Sequence, residues 1–257
     1  MSRSFSLSIV VAFVVVGGPQ QAFGEATRCA VSTVLAPDGR TLNGQIPATT
    51  GFWFSFLGVA GRSYSIEVTS RGTERGVTPG GVTLLKACGE EVPARNTSGL
   101  EPPINLLGTR LSFVAPSTGS FTFQVLNTRD ASVPYAVAVS ETTLFCTFVE
   151  SDGSIFRYVN FFLTNTTRSD VDVTFTLDPV LNSQPAISWT DRVPGAGVWR
   201  ASTINRLASE TQLGQHTTLA HNGPPGAILA DALWTSTCGE TSCFQQPTTC
   251  APVRDKR

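Results

Sequence analysis

Two histidines, His216 and His221, are the residues of this chain best suited to acid–base or nucleophilic chemistry. An imidazole exchanges protons near neutral pH and can activate a serine hydroxyl. A triad could assemble from His221, Asp231 and a serine elsewhere, because triads are defined by geometry and not by sequence order. The local motifs of such enzymes, Gly-x-Ser-x-Gly, His-Glu-x-x-His and Ser-x-x-Lys, are missing from the sequence. We therefore expect no enzymatic activity.

Paired carboxylates and phosphate-binding loops give no stronger signal. Glu90 and Glu91 are adjacent, so in an extended strand they would face opposite sides and could not flank a glycosidic bond. Neither Gly-x-Gly-x-x-Gly nor a loop that ends in Gly-Lys-Ser/Thr occurs. The sequence predicts no cofactor.

Six cysteines indicate an oxidising compartment and a set of disulfides. They are Cys29, Cys88, Cys146, Cys238, Cys243 and Cys250. We prefer a pairing of Cys29 with Cys88 and of Cys146 with one of the three C-terminal cysteines, with the remaining two closing a small loop. Zinc is the competing interpretation, but C-x4-C and C-x6-C differ from the C-x2-C spacing of zinc knuckles, so we predict no metal.

The segment from His221 to Gly226 reads His-Asn-Gly-Pro-Pro-Gly. Prolines fix φ and glycines accept positive φ, so Asn222 to Gly226 predicts a rigid turn. Such a turn could present His221 and Asn222 to a ligand, and these two residues are our ligand-binding candidates. The formation of the turn also explains the same residues without any ligand, and both interpretations stay open.

Most of the chain shows an alternation of apolar and polar residues, and the secondary structure that this pattern predicts must position the candidate residues. The alternation predicts many short strands separated by turns, which is typical of antiparallel β-sandwiches or barrels. The predicted strands are Trp53–Phe56, Tyr64–Val68, Leu111–Phe113, Phe121–Val125, Tyr135–Val139, Leu144–Val149, Arg157–Thr164, Val171–Leu177, Val198–Arg200, Thr217–Ala220 and Ala227–Trp234. The predicted turns that hinge strand pairs are 60–63, 116–120, 152–153 and 165–169. A short helix is predicted near 203–210.

The fold class that follows is all-β, with two antiparallel β-sandwich domains of jelly-roll or immunoglobulin-like type. The number of strands places the first domain at 25–142 and the second at 143–257. Aromatic residues at Phe156, Tyr158, Phe161 and Phe162 could form an exposed platform. Because aromatic residues on strands more often pack inside, we predict that they belong to the core.

The N-terminus reads as a cleaved secretory signal. Arg3 precedes an apolar run from Leu7 to Val16, and Ala22-Phe23-Gly24 supplies the small residues that precede a cut after Gly24. The run is shorter than the roughly 20 residues that span a bilayer; a buried N-terminal element is the alternative. Removal of Arg3 changes the net charge from −1 to −2, and with only 14% charged residues we expect no nucleic-acid partner.

The stretch from 51 to 140 resembles the bacterial pre-peptidase C-terminal domain. The matching pieces are Phe52–Phe56, Gly61–Val68, Gly81–Leu85, Leu111–Pro116, Gly119–Val125 and Pro134–Val139. The resemblance implies a jelly-roll-like sandwich that accompanies secreted enzymes or surface proteins. Members often carry an acidic residue before the Trp strand, where calcium can be held; Gly51 and Phe52 stand there, so we expect no calcium site. The stretch 219–232 is similar to a segment of uncharacterised exported bacterial β-domains.

Together these features predict a secreted, periplasmic or cell-surface bacterial protein that binds without catalysis. The expected partner is a polysaccharide or a protein, and no membrane span is expected in the mature chain. Two alternatives stay open: a structural or accessory subunit of an exported enzyme or envelope assembly, and a hydrolase with a cryptic site at His216 or His221.

Overall fold

The computed structural model of the protein describes residues 32–70, 82–86, 89–97, 108–127, 129–151, 156–179, 185–204, 206, 214–238 and 241–252. Within these ranges every regular element is a β-strand. The strands up to residue 141 are β1 (Thr33–Val34), β2 (Leu42–Ile46), β3 (Gly51–Gly58), β4 (Ser63–Ser70), β5 (Val82–Lys86), β6 (Glu90–Glu91), β7 (Arg95–Asn96), β8 (Gly108–Val114), β9 (Gly119–Leu126) and β10 (Val133–Glu141).

A second series of strands begins at Leu144. It comprises β11 (Leu144–Ser151), β12 (Arg157–Asn165), β13 (Val171–Pro179), β14 (Ile187–Val193), β15 (Val198–Ser202), β16 (Gly214–His221), β17 (Ile228–Cys238), β18 (Thr241–Thr249) and β19 (Ala251–Pro252). Of the predicted helix near 203–210, Thr203, Ile204 and Arg206 are described. They form a turn in which the Arg206 N–H donates to the Thr203 carbonyl at 3.0 Å, so the helix is not found there; the rest of that prediction lies outside the described residues.

Four sheets are formed, two from each series. Sheet I has the order β1-β3-β9-β5-β6, sheet II β2-β10-β4-β8-β7, sheet III β14-β13-β16-β11-β19 and sheet IV β15-β12-β17-β18. Among the described strands the β1–β3 pair is parallel and the other pairs are antiparallel. The predicted all-β, antiparallel sandwich architecture is confirmed.

The predicted turns that fall on described residues, 60–63, 116–120 and 165–169, are found, but they do not join hydrogen-bonded strand pairs. The turn at 60–63 connects β3 of sheet I to β4 of sheet II, and the turn at 116–120 connects β8 of sheet II to β9 of sheet I. The two turns lie side by side, because the Gly61 N–H donates to the Ala115 carbonyl and the Ala115 N–H to the Arg62 carbonyl, each at 2.8 Å. The same correction applies to 165–169, which connects β12 of sheet IV to β13 of sheet III. The segment 152–153 lies outside the described residues, and the strands before and after it, β11 and β12, belong to different sheets.

Sheets I and II enclose an aromatic core. Successive side chains of a strand point to opposite faces, so alternating aromatic residues on β3, β4, β8 and β9 meet between the sheets. Their neighbouring ring centroids lie 5.4 to 6.2 Å apart. The buried rings are Phe54, Phe56, Tyr64, Phe113, Phe121 and Phe123. Because aromatic rings bury the largest apolar areas, this cluster dominates the packing of the first sandwich.

Sheets III and IV enclose a second core centred on Phe161. Its ring lies 6.4 Å from Phe148 and 5.3 Å from Phe175, which stacks on Trp189 at 4.9 Å. Of the four aromatic residues near 156–162 that were predicted to be core, Phe161 belongs to it, and the prediction was wrong for the other three. Tyr158 is half-buried and lies on the same outward side of β12 as Phe162. Phe162 is 39% exposed and Phe156 is 51% exposed. Phe162 follows Phe161 in the same strand, so its side chain must point to the other face.

A disulfide joins Cys146 to Cys250. It confirms that Cys146 pairs with one of the C-terminal cysteines. Cys146 lies on β11 of sheet III, whereas Cys250 separates β18 of sheet IV from β19 of sheet III. The bond therefore fixes the point where the chain crosses between the two sheets. Cys29 and Cys88 lie outside the described residues, as do the side chains of Cys238 and Cys243, whose backbones belong to β17 and β18.

Candidate functional site

His221 lies at the end of β16, where the two sandwiches meet. Its side chain is 1% exposed. The Gly223 N–H donates to Nδ1 at 3.3 Å, and a second hydrogen bond joins the ring to the backbone of Thr142 in the segment that connects the sandwiches. Burial lowers the pKa of His221 to about 4, and the hydrogen bond to the Thr142 backbone only partly offsets this effect. The imidazole is therefore neutral at neutral pH and is held by backbone groups.

This environment predicts a pH dependence of folding stability. The ordinary pKa of histidine is 6.5 and that of His221 in the folded chain is about 4, so the unfolded chain binds the proton first as the pH falls. His221 imposes no penalty above pH 6.5, and we expect a loss of up to about 3 kcal/mol as the pH falls to about 4. The non-titrating His221→Gln variant should lack this loss. Urea unfolding at pH 7, 5.5 and 4 measures both proteins; parallel pH profiles would contradict the assignment.

Asn222 serves the contact between the two sandwiches. Its Oδ1 accepts from the Asp172 N–H at 3.0 Å and from Arg95 Nη1 at 3.1 Å, and its Nδ2 donates to the Asp172 carboxylate at 3.0 Å. Arg95, on β7 of sheet II, also donates to the Asp170 carbonyl at 2.6 Å. A cavity of about 560 Å³ lies here, lined by residues that include Arg95, Ser112, Asp170, Asp172, Arg192 and Asn222. The two ligand-binding candidates, His221 and Asn222, thus lie at the contact between the two sandwiches, where their side chains hydrogen-bond to other residues of the chain.

The turn after Asn222 contains two glycines, and the predicted positive φ is found at one of them. Gly226 has a φ of 75°, a conformation that L side chains rarely adopt. Gly223 is required for another reason: a Cβ there would lie 2.7 Å from the Ala227 Cβ. Both glycines are explained by the backbone path of the turn.

The remaining catalytic candidates form neither a triad nor a facing carboxylate pair in the described part of the chain. His216 lies on the face of β16 opposite to His221, and its Nε2 is 3.0 Å from Asp178 Oδ2. His221 and Asp231 line a common cavity of about 430 Å³, but no serine is among its described lining residues. Glu90 and Glu91 form the short strand β6, where both are exposed. The described residues also contain no cluster of three or more His, Cys, Asp or Glu arranged to hold a metal ion.

The outward surface of sheet IV brings together groups that lie far apart in the sequence. We call it the sheet IV face. It consists of the side chains that point away from the second core, and the strand register arranges them in rows across the sheet. The central row is Arg200, Phe162, Asp231 and Thr249; the flanking rows are Val198, Thr164 and Leu229 on one side, and Ser202, Asn160, Leu233 and Pro247, then Tyr158, Thr235 and Gln245, on the other.

The central row carries an aromatic ring between two opposite charges. The Arg200 guanidinium carbon lies 5.8 Å from the centroid of Phe162. Asp231 is exposed, and its carboxylate makes no hydrogen bond to any residue in the described part of the chain. An open depression of about 470 Å³ lies beside this carboxylate, lined by Phe162, Asp231, Leu233, Pro247 and Thr249 among others. One sheet therefore presents an apolar ring, Phe162, a group of hydrogen-bond donors, the Arg200 guanidinium, and a hydrogen-bond acceptor, the Asp231 carboxylate.

Two polar side chains of the same face are buried without a hydrogen bond. Asn160 is 4% exposed and Thr235 1% exposed, and neither Asn160 Oδ1 nor Thr235 Oγ1 has a partner among the described residues. Buried polar groups in folded proteins are nearly always paired. These two atoms therefore have unused hydrogen-bonding capacity next to the exposed central row.

The sequence contained a signal for this face. Two adjacent phenylalanines in a strand cannot both point inward, so the Phe161-Phe162 pair requires one exposed ring if Arg157–Asn165 is a strand. The positions of Arg200 and Asp231 beside that ring depend on the pairing of β12 with β15 and β17. Strand order is a tertiary property, and no local pattern in the sequence specifies it.

No protein-family model and no curated protein sequence matches the chain. Among solved structures, the full extracellular region of zebrafish Gpr126/Adgrg6 aligns with a TM-score of 0.24 and 10% sequence identity. The alignment covers 87% of this chain and 33% of that chain, so this chain spans about a third of that region. At this TM-score no inference about fold or function is drawn from the similarity. Within the described residues, no helix has the length and apolarity needed to cross a membrane.

Proposed function

We propose that this chain is an exported bacterial binding module without catalytic activity, and that the sheet IV face is its binding surface. The observation that carries the proposal is the exposed ring of Phe162 between Arg200 and Asp231, beside an open depression. Val198 and Leu229 add exposed apolar surface to the same face. Exposed apolar groups that lie together with free polar groups are typical of binding surfaces.

Export is part of the same proposal. The N-terminal signal pattern, with a cut after Gly24, and the six cysteines of the chain support it. The Cys146–Cys250 disulfide fits an oxidising compartment, such as the periplasm, the cell surface or the medium. We assign no cofactor to the protein.

The first sandwich has a supporting role in this proposal. We propose a domain from 25 to 142, related to the pre-peptidase C-terminal domain, followed by a second domain from 143 to 257. Contacts of Arg95 with Asp170 and Asn222, and of His221 with Thr142, support a fixed arrangement of the two. The first domain would then hold the sheet IV face at a constant orientation.

The proposal is tested with the purified chain that begins at Glu25. We expect it to bind members of a glycan array or a panel of envelope and host proteins, and to leave those ligands chemically unchanged. Mass spectrometry of the ligands after incubation detects turnover. Absence of binding to every array member, or turnover of a bound one, contradicts the proposal.

A second candidate function, an accessory subunit of an exported enzyme or envelope assembly, is favoured by the free edge of β15. The Asn165 N–H donates to Gly197 and the Thr203 N–H donates to Val159, and these bonds bracket the β12–β15 ladder. Hydrogen-bonded pairs alternate in antiparallel strands, so the backbone groups of Val198, Arg200 and Ser202 point away from β12. In the described part of the chain no strand pairs with this edge. A partner that co-purifies in fixed stoichiometry would favour this candidate.

A further inference from the structure

We infer that the ligand of the sheet IV face is a neutral polysaccharide that lies across the strands along the central row from Arg200 to Thr249. The inference depends on the proposed function, and it specifies the class of ligand. Adjacent strands are about 4.8 Å apart, so a row across four strands is about 14 Å long. A continuous row of this length matches an extended chain of small rings better than a single compact molecule.

The chemistry of the row matches that of a pyranose chain. Each sugar ring has an apolar C–H surface, which can stack on the exposed ring of Phe162. Its hydroxyl groups both donate and accept hydrogen bonds. The free carboxylate of Asp231 can accept from two neighbouring hydroxyls, and the guanidinium of Arg200 can donate to hydroxyl oxygens.

The sheet IV face lacks the cluster of like charges that binding of a charged polymer requires. The central row holds one cation and one anion, Arg200 and Asp231, and the flanking rows contain no ionisable side chain except the phenol of Tyr158. Nucleic acids and acidic glycans need a clustered cationic surface. The sheet IV face has none, so we specify a neutral chain.

The sheet IV face is smaller than the surface that a stable protein partner usually covers. Four strands and four rows of outward side chains cover about 500 Å² at the usual strand and residue spacings. A stable protein interface buries about 800 Å² on each partner. An oligosaccharide needs less area, because stacking on one aromatic ring and a few charge-assisted hydrogen bonds supply most of its contacts.

The test uses the chain that begins at Glu25 and a set of soluble neutral glucans, mannans, xylans and galactans, with affinity gel electrophoresis and calorimetry as readouts. We expect at least one of these polymers to bind. Phe162→Ala should weaken that binding by about tenfold or more, as the loss of a central aromatic anchor typically does. Asp231→Asn, which keeps the shape of the side chain and removes its charge, should weaken it less. The control Phe145→Ala changes a half-buried ring on the outward surface of sheet III and should leave the affinity unchanged.

The outcomes separate this inference from the proposed function. Binding of a protein from the panel, with no binding of any neutral polymer, overturns the inference and leaves the proposed function intact. Binding of a neutral polymer that Phe162→Ala and Asp231→Asn both leave within twofold overturns the inference as well. If Phe162→Ala fails to fold, the isosteric Asp231→Asn variant alone decides. Failure to bind any protein or glycan overturns both.

Discussion

Replacement of both Cys146 and Cys250 by alanine should lower the free energy of unfolding by about 2–5 kcal/mol. The disulfide links residues 104 positions apart, so it restricts the unfolded chain over nearly the whole second sandwich. It also fixes the crossing of the C-terminal strand between sheets IV and III. The double variant leaves no lone thiol that could form a wrong disulfide. Urea unfolding without reductant measures the change.

The control for this variant is Thr147→Ala. Thr147 follows Cys146 on β11 but is exposed, and exposed positions change stability by less than about 0.5 kcal/mol. If the double cysteine variant and Thr147→Ala unfold at the same urea concentration, the disulfide has no stabilising role at this crossing.

Phe161→Ala should destabilise the protein by about 3–5 kcal/mol, which is the usual cost of removing a buried phenylalanine ring. Phe161 is fully buried and lies between Phe148 and Phe175. Its removal leaves a cavity at the centre of the second core. Thermal or urea unfolding measures the effect.

Phe162→Ala is the matched control, because it removes the same side chain from the next position of β12. Phe162 is largely on the outward face, so we expect a loss below about 1 kcal/mol. Equal losses for the two variants would mean that the described orientation of β12 is wrong. The comparison also shows whether Phe162→Ala is folded, on which its use in the binding test depends.

The strands of this protein can be predicted from the sequence, whereas their pairing cannot. Alternating residues such as Phe121, Phe123 and Val125 identify a strand with one buried face, and the structure has that strand as β9. The glycine at position 61 identifies a turn, and it has a φ of 75°. The same turn chemistry serves a hairpin and a crossing between two sheets. Only the packing of both sheets around one core decides between them, and that information is spread over distant residues.

The candidate site illustrates the same limit. His221 and Asn222 were predicted as ligand-binding candidates because a rigid turn follows them. The structure places them at the contact between the two sandwiches. Whether a turn residue faces solvent or a neighbouring domain depends on how domains pack. Phe162 could be predicted to be exposed from its neighbour Phe161, but its alignment with Arg200 and Asp231 required the register of sheet IV.

Binding of the ligand at the sheet IV face is tested most directly by an NMR titration of the ¹⁵N-labelled chain with the array member that binds most tightly. We expect the amide shifts that change to cluster on β12, β15 and β17, around Phe162, Arg200 and Asp231. Changes that cluster instead at the 222–226 turn, or on the first sandwich, would contradict binding at the sheet IV face.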